Sequence, residues 1–329
     1  MNNTMKAAIF EKTGNPQDVL QVKDIPIPTP GDGEVRIKVT ACNINPSDVM
    51  FVHGLYGIRP ELPAVGGFEA TGTIDECGTG VTLTKGMAVI FTAIGVWQEY
   101  VIVPAKTVLP KPENMPATVA CQAFVNPFTA YGMLETANLQ AGQYLLLTAG
   151  GSAFSKFVIQ IAKIRGIKVI CTLRRDEGSN ELIELGATAV VNTEKEVLYK
   201  RIKEITAGEG VDYVFEAVGG KIGEKALECL KIGGTMMVYG LLSLQSTPVN
   251  NGLVLFKNLC IKGFWLSTWM TQLNKEEKIG VTQEVFRLLS SSQLKTNIEK
   301  KYPLDQIKEA IFHSEKTGRT GKIILDLAL

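Results

Sequence analysis

Histidine is nearly absent from this chain of 329 residues: His53 and His313 are the only two, and neither lies in a ligand pattern. Catalytic zinc takes about three protein ligands of the His, Cys or carboxylate kind, and no convincing set of these is encoded. The six cysteines, at 42, 77, 121, 171, 229 and 260, are scattered and form no C-x-x-C pair. That excludes a cysteine zinc cluster and a disulfide framework, and predicts reduced, mostly buried thiols in a reducing compartment. A surplus of charge is missing too. Lys and Arg number 34 against 33 Asp and Glu, so neither a nucleic-acid surface nor a disordered tail is indicated. No apolar run reaches membrane-spanning length. Met1 to Lys6 has no apolar h-region and no Arg-rich amphipathic stretch, which predicts a cytoplasmic protein without a signal or transit peptide.

What is present suffices for two domains with real cores. Residues 5 to about 120 read as β-rich. Glu34 to Val39 alternates with period two, as a half-buried strand does, and further strands are predicted at Met5–Phe10, Ala70–Asp75, Met87–Phe91 and Glu99–Val103. Gly, Pro and Thr turns between them argue a partly open barrel. Ala117–Leu134 is apolar and helical, with a break predicted at Asn126-Pro127. From Tyr144 strand and helix alternate. Strands are predicted at Tyr144–Leu147, Lys168–Leu173, Ala189–Asn192, Asp212–Ala217, Thr235–Tyr239 and Leu259–Phe264. Helices fall between them, one opened by a Thr193-x-x-Glu196 capping box and one closed by Gly186. This alternation predicts an α/β fold: a Rossmann-type, doubly wound parallel sheet with helices on both faces. Two helices follow, near Glu276–Leu289 and Leu304–His313, and then a strand, Thr320–Asp326. A lone last strand is best placed back in the first domain. The predicted division is therefore 1–122 with 265–329 as a discontinuous substrate domain, and 123–264 as the nucleotide-binding domain, with a cleft between the two.

The turn from Leu147 to Lys156 lacks G-x-G-x-x-G. Its only glycines, Gly150 and Gly151, are adjacent. Small residues still allow a pyrophosphate near the backbone, and a helix start offers N–H groups to its charge. Gly150, Gly151, Ser152 and Ala153 are thus candidate cofactor contacts, with Tyr239 at the end of the fifth strand. The second strand ends Leu173-Arg174-Arg175, where the adenosine ribose is met. Arg accommodates a 2′-phosphate, whereas Asp or Glu prefers a free 2′-hydroxyl. Arg174 and Arg175 argue for NADPH, and Asp176 keeps NADH open.

With these residues in view, the chain resembles the medium-chain dehydrogenase/reductase superfamily over essentially its whole length. Where the zinc branch carries its catalytic Cys and a Gly-His-Glu segment, this chain reads Asn45-Pro46-Ser47-Asp48 and Gly67-Phe68-Glu69. Asn45 to Asp48, Gly54-Leu55-Tyr56-Gly57, Pro60 to Gly67, Val125-Asn126-Pro127, Thr129-Ala130-Tyr131 and Gly263-Phe264-Trp265-Leu266-Ser267-x-Trp269 are similar to the mitochondrial-type 2-enoyl thioester reductases. Next come the zinc-free quinone oxidoreductases. The resemblance implies a GroES-like first domain, no metal, and NADPH-dependent reduction of trans-2-enoyl groups on CoA or acyl carrier protein. It implies Tyr56 as the active-site tyrosine. Asn45 would position it or the nicotinamide, Asn126 and Thr129 would meet the carboxamide, and Phe264, Trp265 and Trp269 would line an acyl tunnel. A homodimer paired through the edge of the parallel sheet is implied as well.

The chain departs from the family at Ala153 and Ser155, which replace the two key glycines of the turn, while Phe154 adds bulk. Three functions stay open: enoyl thioester reductase, reductase of quinones or other activated alkenes, and a non-catalytic dehydrogenase-like scaffold or redox sensor.

Overall fold

The computed structural model describes residues 3–329. The chain forms two compact units, one reaching up to Val125 and resuming at Thr296–Leu329, the other Asn126–Lys295.

In the first unit, β1 (Thr4–Phe10) pairs antiparallel with β2 (Leu20–Pro26), and α1 (Pro16–Val19) lies between them in sequence. There follow β3 (Glu34–Asn43), α2 (Pro46–His53), β4 (Ala64–Val65), β5 (Glu69–Cys77), β6 (Ala88–Thr92), β7 (Tyr100–Pro104), β8 (Leu109–Pro110) and α3 (Ala117–Ala120). The period-two pattern of β3 is realised: Val35, Ile37 and Val39 are buried. All five β segments expected in this unit are strands, with ends shifted by a few residues. The helix α4 (Val125–Ala137) opens at the end of this unit. It runs straight through Asn126-Pro127, which corrects the predicted break. Pro127 sits in the first turn, where its missing N–H has no helical partner to lose.

The second unit is β9 (Tyr144–Leu147), α5 (Ala153–Ile164), β10 (Lys168–Leu173), α6 (Ser179–Leu185), β11 (Ala189–Asn192), α7 (Leu198–Ile205), β12 (Val211–Glu216), α8 (Gly220–Glu228), β13 (Leu230–Val238), α9 (Asn251–Lys257), β14 (Cys260–Gly263), α10 (Leu266–Gln272) and α11 (Lys275–Ser290). Its six strands are all parallel, in the order β11-β10-β9-β12-β13-β14. That is the doubly wound dinucleotide-binding order, with its switch point between β9 and β12. The predicted capping box is not formed as one. Glu196 accepts from the Asn192 N–H, Asn192 accepts from that of Glu194, and the helix starts only at Leu198. Asn192 thus turns the chain locally before a helix can begin.

The second domain boundary also needs correction, because 265–295 belongs with the parallel-sheet unit. Packing explains this: Phe286 meets Phe128 edge-on at 6.2 Å, Trp269 lies on Gly132, and the Lys295 N–H donates to Gln160.

The chain then returns to the first unit as β15 (Ile298–Tyr302), α12 (Ile307–Glu315) and β16 (Lys322–Asp326). The last strand pairs antiparallel with β3, Ile324 to Asp326 against Asn43 to Ala41, as the sequence anticipated. It is not alone: β15, unforeseen, lies parallel beside it. The sheet reads β15-β16-β3-β5-β6-β8, with β7 also on β3. β3 carries β7 along its first half and β16 along its end, which curls the sheet around Phe10, Phe51, Phe91 and Trp97.

Candidate functional site

At the switch point of the parallel sheet, Thr148 follows β9 and Glu216 ends β12. Thr148 is fully buried; its Oγ1 accepts from the Ala217 N–H at 2.9 Å and donates to Glu216 Oε1 at 3.2 Å. The Glu216 carboxylate also accepts from the N–H groups of Val218 and Gly219, at 2.7 and 2.9 Å. These bonds pin the loops after β9 and β12 to each other, at the place where such sheets bind ligands. Sequence reasoning missed both residues. The available signal was a carboxylate closing the apolar run Val214-Phe215.

The turn after Thr148 is built of strained and small residues. Ala149 takes a left-handed φ of 50°, uncommon for a residue with a side chain. Gly150 donates to the Thr172 carbonyl at 3.0 Å, and a Cβ there would lie 2.6 Å from that of Cys171. Only glycine lets the turn close on β10. Ser152 caps α5 by accepting from the Ser155 N–H at 3.1 Å, an N-cap of the usual kind. The Ala153 and Phe154 amides are left as the helix's free first donors.

The departure at Ser155 and the bulk of Phe154 are both absorbed inward. Ser155 is fully buried; its Oγ donates to the Ala149 carbonyl and accepts from Ser152 Oγ, both at 3.0 Å. Phe154 is 6% exposed and stacks on Tyr239, with centroids 4.1 Å apart and planes at 34°. The Tyr239 hydroxyl meets those of Ser155 and Ser152, and desolvation pushes the phenol well above its ordinary range. Tyr239 therefore stays a neutral donor and braces the turn.

Arg174 and Arg175 are exposed just beyond β10. Asp176 next to them accepts from Asn192 and Lys195, each at 2.5 Å. The Lys195 bond, then the Asn192 bond, hold its carboxyl below the usual range. The acid that kept NADH open is thus engaged by a lysine, and three cations gather at this end of the sheet. Small residues in the turn, free helix-start amides and cations at the strand end together fit the pyrophosphate and 2′-phosphate of NADPH.

Asn126 and Thr129 lie three residues apart on α4, half-buried on one face; that spacing makes them neighbours. A Cβ on Gly132, one turn on, would come within 2.8 Å of the Trp269 ring. Trp269 meets Phe264 at 6.1 Å, while Trp265 at the N-cap of α10 is 42% exposed.

In the first unit, Tyr56 sits half-buried in the loop after α2, its ring 5.2 Å from that of Phe68. Gly54, with φ 75°, ends α2 and turns the chain toward it. Beneath lies a buried polar cluster. Glu69 accepts from Asn43 Nδ2 and Asn45 Nδ2 at 2.8 Å, and from the N–H groups of Phe124 and Val125 at 3.2 and 2.8 Å. Asn45 Nδ2 also donates to Asn43 Oδ1, and its Oδ1 accepts from Lys322 Nζ at 2.6 Å. Asp48 Oδ2 accepts from the Asn45 N–H at 2.7 Å. Burial pushes the Asp48 carboxyl up to about 7 and the Lys322 ammonium down to about 8. Asn45 is thus held by the fold at both ends of its amide. The Trp97 indole donates to the Asn43 carbonyl, and its ring fills the space that side chains at Gly66 and Gly67 would need. Among the described residues, no three His, Cys, Asp or Glu side chains gather to hold a metal ion.

Known proteins share this layout. Residues 31–113 match the alcohol dehydrogenase GroES-like domain, and 155–282 the zinc-binding dehydrogenase domain. A mitochondrial enoyl-[acyl-carrier-protein] reductase of Xenopus tropicalis is 31% identical, over 97% of this chain and 95% of that protein. Its Arabidopsis thaliana counterpart is 31% identical over 99% and 89%. The chain belongs to the medium-chain dehydrogenase/reductase superfamily. Among solved structures, a putative NADPH:quinone reductase from Bacillus thuringiensis superimposes with a TM-score of 0.92 at 31% identity, covering 98% of this chain and 99% of that one. The Escherichia coli quinone oxidoreductase, solved with NADPH, gives 0.91 at 28% over the same shares. Within the superfamily, then, these two curated relatives are enoyl reductases, and these two structural neighbours are quinone reductases by name. Among the described residues no helix is long and apolar enough to cross a membrane.

Proposed function

We propose that the chain is an NADPH-dependent reductase of the activated C=C bond of trans-2-enoyl thioesters carried on CoA or acyl carrier protein. The observation that carries this reading is the likeness to enoyl-[acyl-carrier-protein] reductases at 31% identity over nearly the whole of both chains. NADPH is supported by Arg174, Arg175 and Lys195 gathered at the end of β10, and by the NADPH bound in the E. coli neighbour. When bound, NADPH supplies a hydride for the substrate's β-carbon.

This chain's own residues then have two tasks. Negative charge builds on the thioester oxygen as the β-carbon is reduced, and a neutral donor must hold it. Tyr56, whose hydroxyl can donate, is that donor in this reading. Asn45, gripped by Lys322 and Glu69, positions the chain that leads to it. Asn126 and Thr129 bind the carboxamide, and Phe264, Trp265 and Trp269 offer apolar surface to the acyl chain.

Quinone reduction is the second reading, favoured by the TM-scores above 0.9 with quinone oxidoreductases. A non-catalytic scaffold draws least support, since Ser155 and Phe154 turn away from the cradle. We also propose a homodimer through the outer edge of β14 and the helix α9 before it, where Ile261 is exposed at 41% and Leu255 and Phe256 at 72% and 82%, and a reducing, cytoplasmic setting for the free thiols.

NADPH oxidation measured with crotonyl-CoA and with naphthoquinone separates the readings. Enoyl reduction that falls at least ~100-fold in Tyr56→Phe supports the first, on the scale of a lost oxyanion donor. Turnover of the quinone alone, untouched by Tyr56→Phe, overturns it.

A further inference from the structure

Lys322 comes from the returning strand β16, far along the chain from the Tyr56 loop, yet it enters the cluster beneath it. Its side chain is almost wholly buried, and its Nζ donates to the Ile44 carbonyl at 2.7 Å and to Asn45 Oδ1 at 2.6 Å. Asp48 and Glu69 supply the negative charge around it, and Arg319 and Cys121 are its other titratable neighbours. We propose that Lys322 is a positioning residue, whose ammonium fixes the orientation of Asn45 and the start of α2, and so the loop that carries Tyr56.

Donor counting supports this. An ammonium only donates, so the Asn45 amide must present its oxygen to Lys322. Its nitrogen is thereby turned to Glu69 and Asn43, where acceptors wait. A flipped amide would set donor against donor on one side and acceptor against acceptor on the other. Asn45 is also the N-cap residue of α2, and its carbonyl accepts from the Asp48 and Val49 N–H groups. Lys322 therefore grips both the carbonyl just before the N-cap residue and the side chain of that residue. Neutralising charge is not its main task. Glu69 is already met by four N–H donors, which is how a buried carboxylate is satisfied without a cation. What the ammonium adds is the pair of bonds to residues 44 and 45. From there α2 runs to Gly54, a helix-ending turn whose Cα side faces Thr13. Tyr56 lies two residues beyond.

The kinetic part of this proposal rests on the reductase reading; the hold on the loop does not. Lys322→Gln alone strands Asp48 without its cation and risks unfolding, so the test pairs it with Asp48→Asn. The Asn side chain can still accept from the Asn45 N–H. In the full-length double variant, amide hydrogen exchange over residues 45–57 should quicken by about ten-fold or more, and exchange in β9 to β13 should stay unchanged. With crotonyl-CoA, kcat should fall about ten-fold while KM and the NADPH dissociation constant stay within about two-fold, the mark of a group that acts only through geometry at the reacting centre. Lys322→Arg, which keeps a donor-only cation, should recover part of kcat. Unchanged exchange over 45–57 overturns the hold. Faster exchange with wild-type kcat overturns the role in the reaction. A wild-type chain that reduces neither crotonyl-CoA nor naphthoquinone sinks the reductase reading by itself, and the exchange data still uphold or overturn the hold.

Discussion

Returning glycine to position 155 tests whether the altered turn is a defect or a device. If the Ser155 Cβ stands where phosphate should lie, Ser155→Gly improves the cradle. The geometry says otherwise. Ser155 is fully buried and its hydroxyl makes two 3.0 Å bonds, to the Ala149 carbonyl and to Ser152, while the Tyr239 hydroxyl that also meets it keeps Ser152 as a partner. Each such bond contributes about 1 kcal/mol net. Glycine in the first turn of α5 costs about a further 0.5 kcal/mol relative to serine. The Ala149 carbonyl keeps the Ser152 N–H as a donor, so no buried acceptor is orphaned. The sum is about 2.5 kcal/mol. In a unit of this size, that corresponds to a melting point lower by roughly 5–10 °C. Calorimetry of the variant with and without NADPH reads both consequences. The dissociation constant for NADPH should change by less than about three-fold, because the hydroxyl faces the turn and not the ligand. A variant that melts no lower, or that binds NADPH about ten-fold more tightly, refutes the account and restores the scaffold reading.

Further outcomes follow from other parts of the two units. Arg174→Ala with Arg175→Ala should raise the NADPH dissociation constant about 30-fold and leave NADH within two-fold, as two exposed charge-assisted contacts of about 1 kcal/mol each would; an equal loss for both cofactors would contradict the 2′-phosphate assignment. Gly132→Ala forces a Cβ to within 2.8 Å of the Trp269 ring, so it should cost about 1–3 kcal/mol of stability and raise the KM for long-chain enoyl thioesters above that for crotonyl-CoA. The cluster beneath Tyr56 gives a pH signature. Asp48 has its folded pKa raised, by burial, to about 7, so its contribution to stability is greatest in acid and is lost as pH rises through that value. Lys322 has its folded pKa lowered, again by burial, to about 8, so the native state gains stability above it, as the unfolded chain holds the proton longer. Denaturant melts across pH should show a shallow minimum between the two values, and Asp48→Asn should remove the acidic limb while leaving the alkaline one.

How far the sequence disclosed this depended on the range of the interaction. The parallel sheet was legible because Leu145-Leu146-Leu147 or Val214-Phe215 signal a doubly covered strand within a few residues, with helices alternating between such strands. Local competition was harder to read. Thr193 and Glu196 have the spacing of a capping box, but Asn192 offers its own oxygen to Glu194 first. Strand β15 was hidden because four of its five residues are exposed, which erases the alternation that marks a half-buried strand. The allocation of 265–295 was hidden for another reason: Gly132 looks like any helical glycine until Trp269 is set against it.

The candidate site shows the same limit most sharply. Tyr56 and Arg174 could be put forward from the sequence because each stands in a local pattern. Lys322 was not, because its partner Asn45 is 277 residues away and nothing near Lys322 in the chain requires a buried cation. Buried polar groups carry the largest penalties when left unpaired, so Asn43, Asn45, Asp48, Glu69 and Lys322 constrain one another more tightly than the apolar core around them. The zinc branch holds ligands at the places of Asn45 and Phe68. Here Asn45 is instead held by the Lys322 ammonium, and Phe68 packs its ring against that of Tyr56.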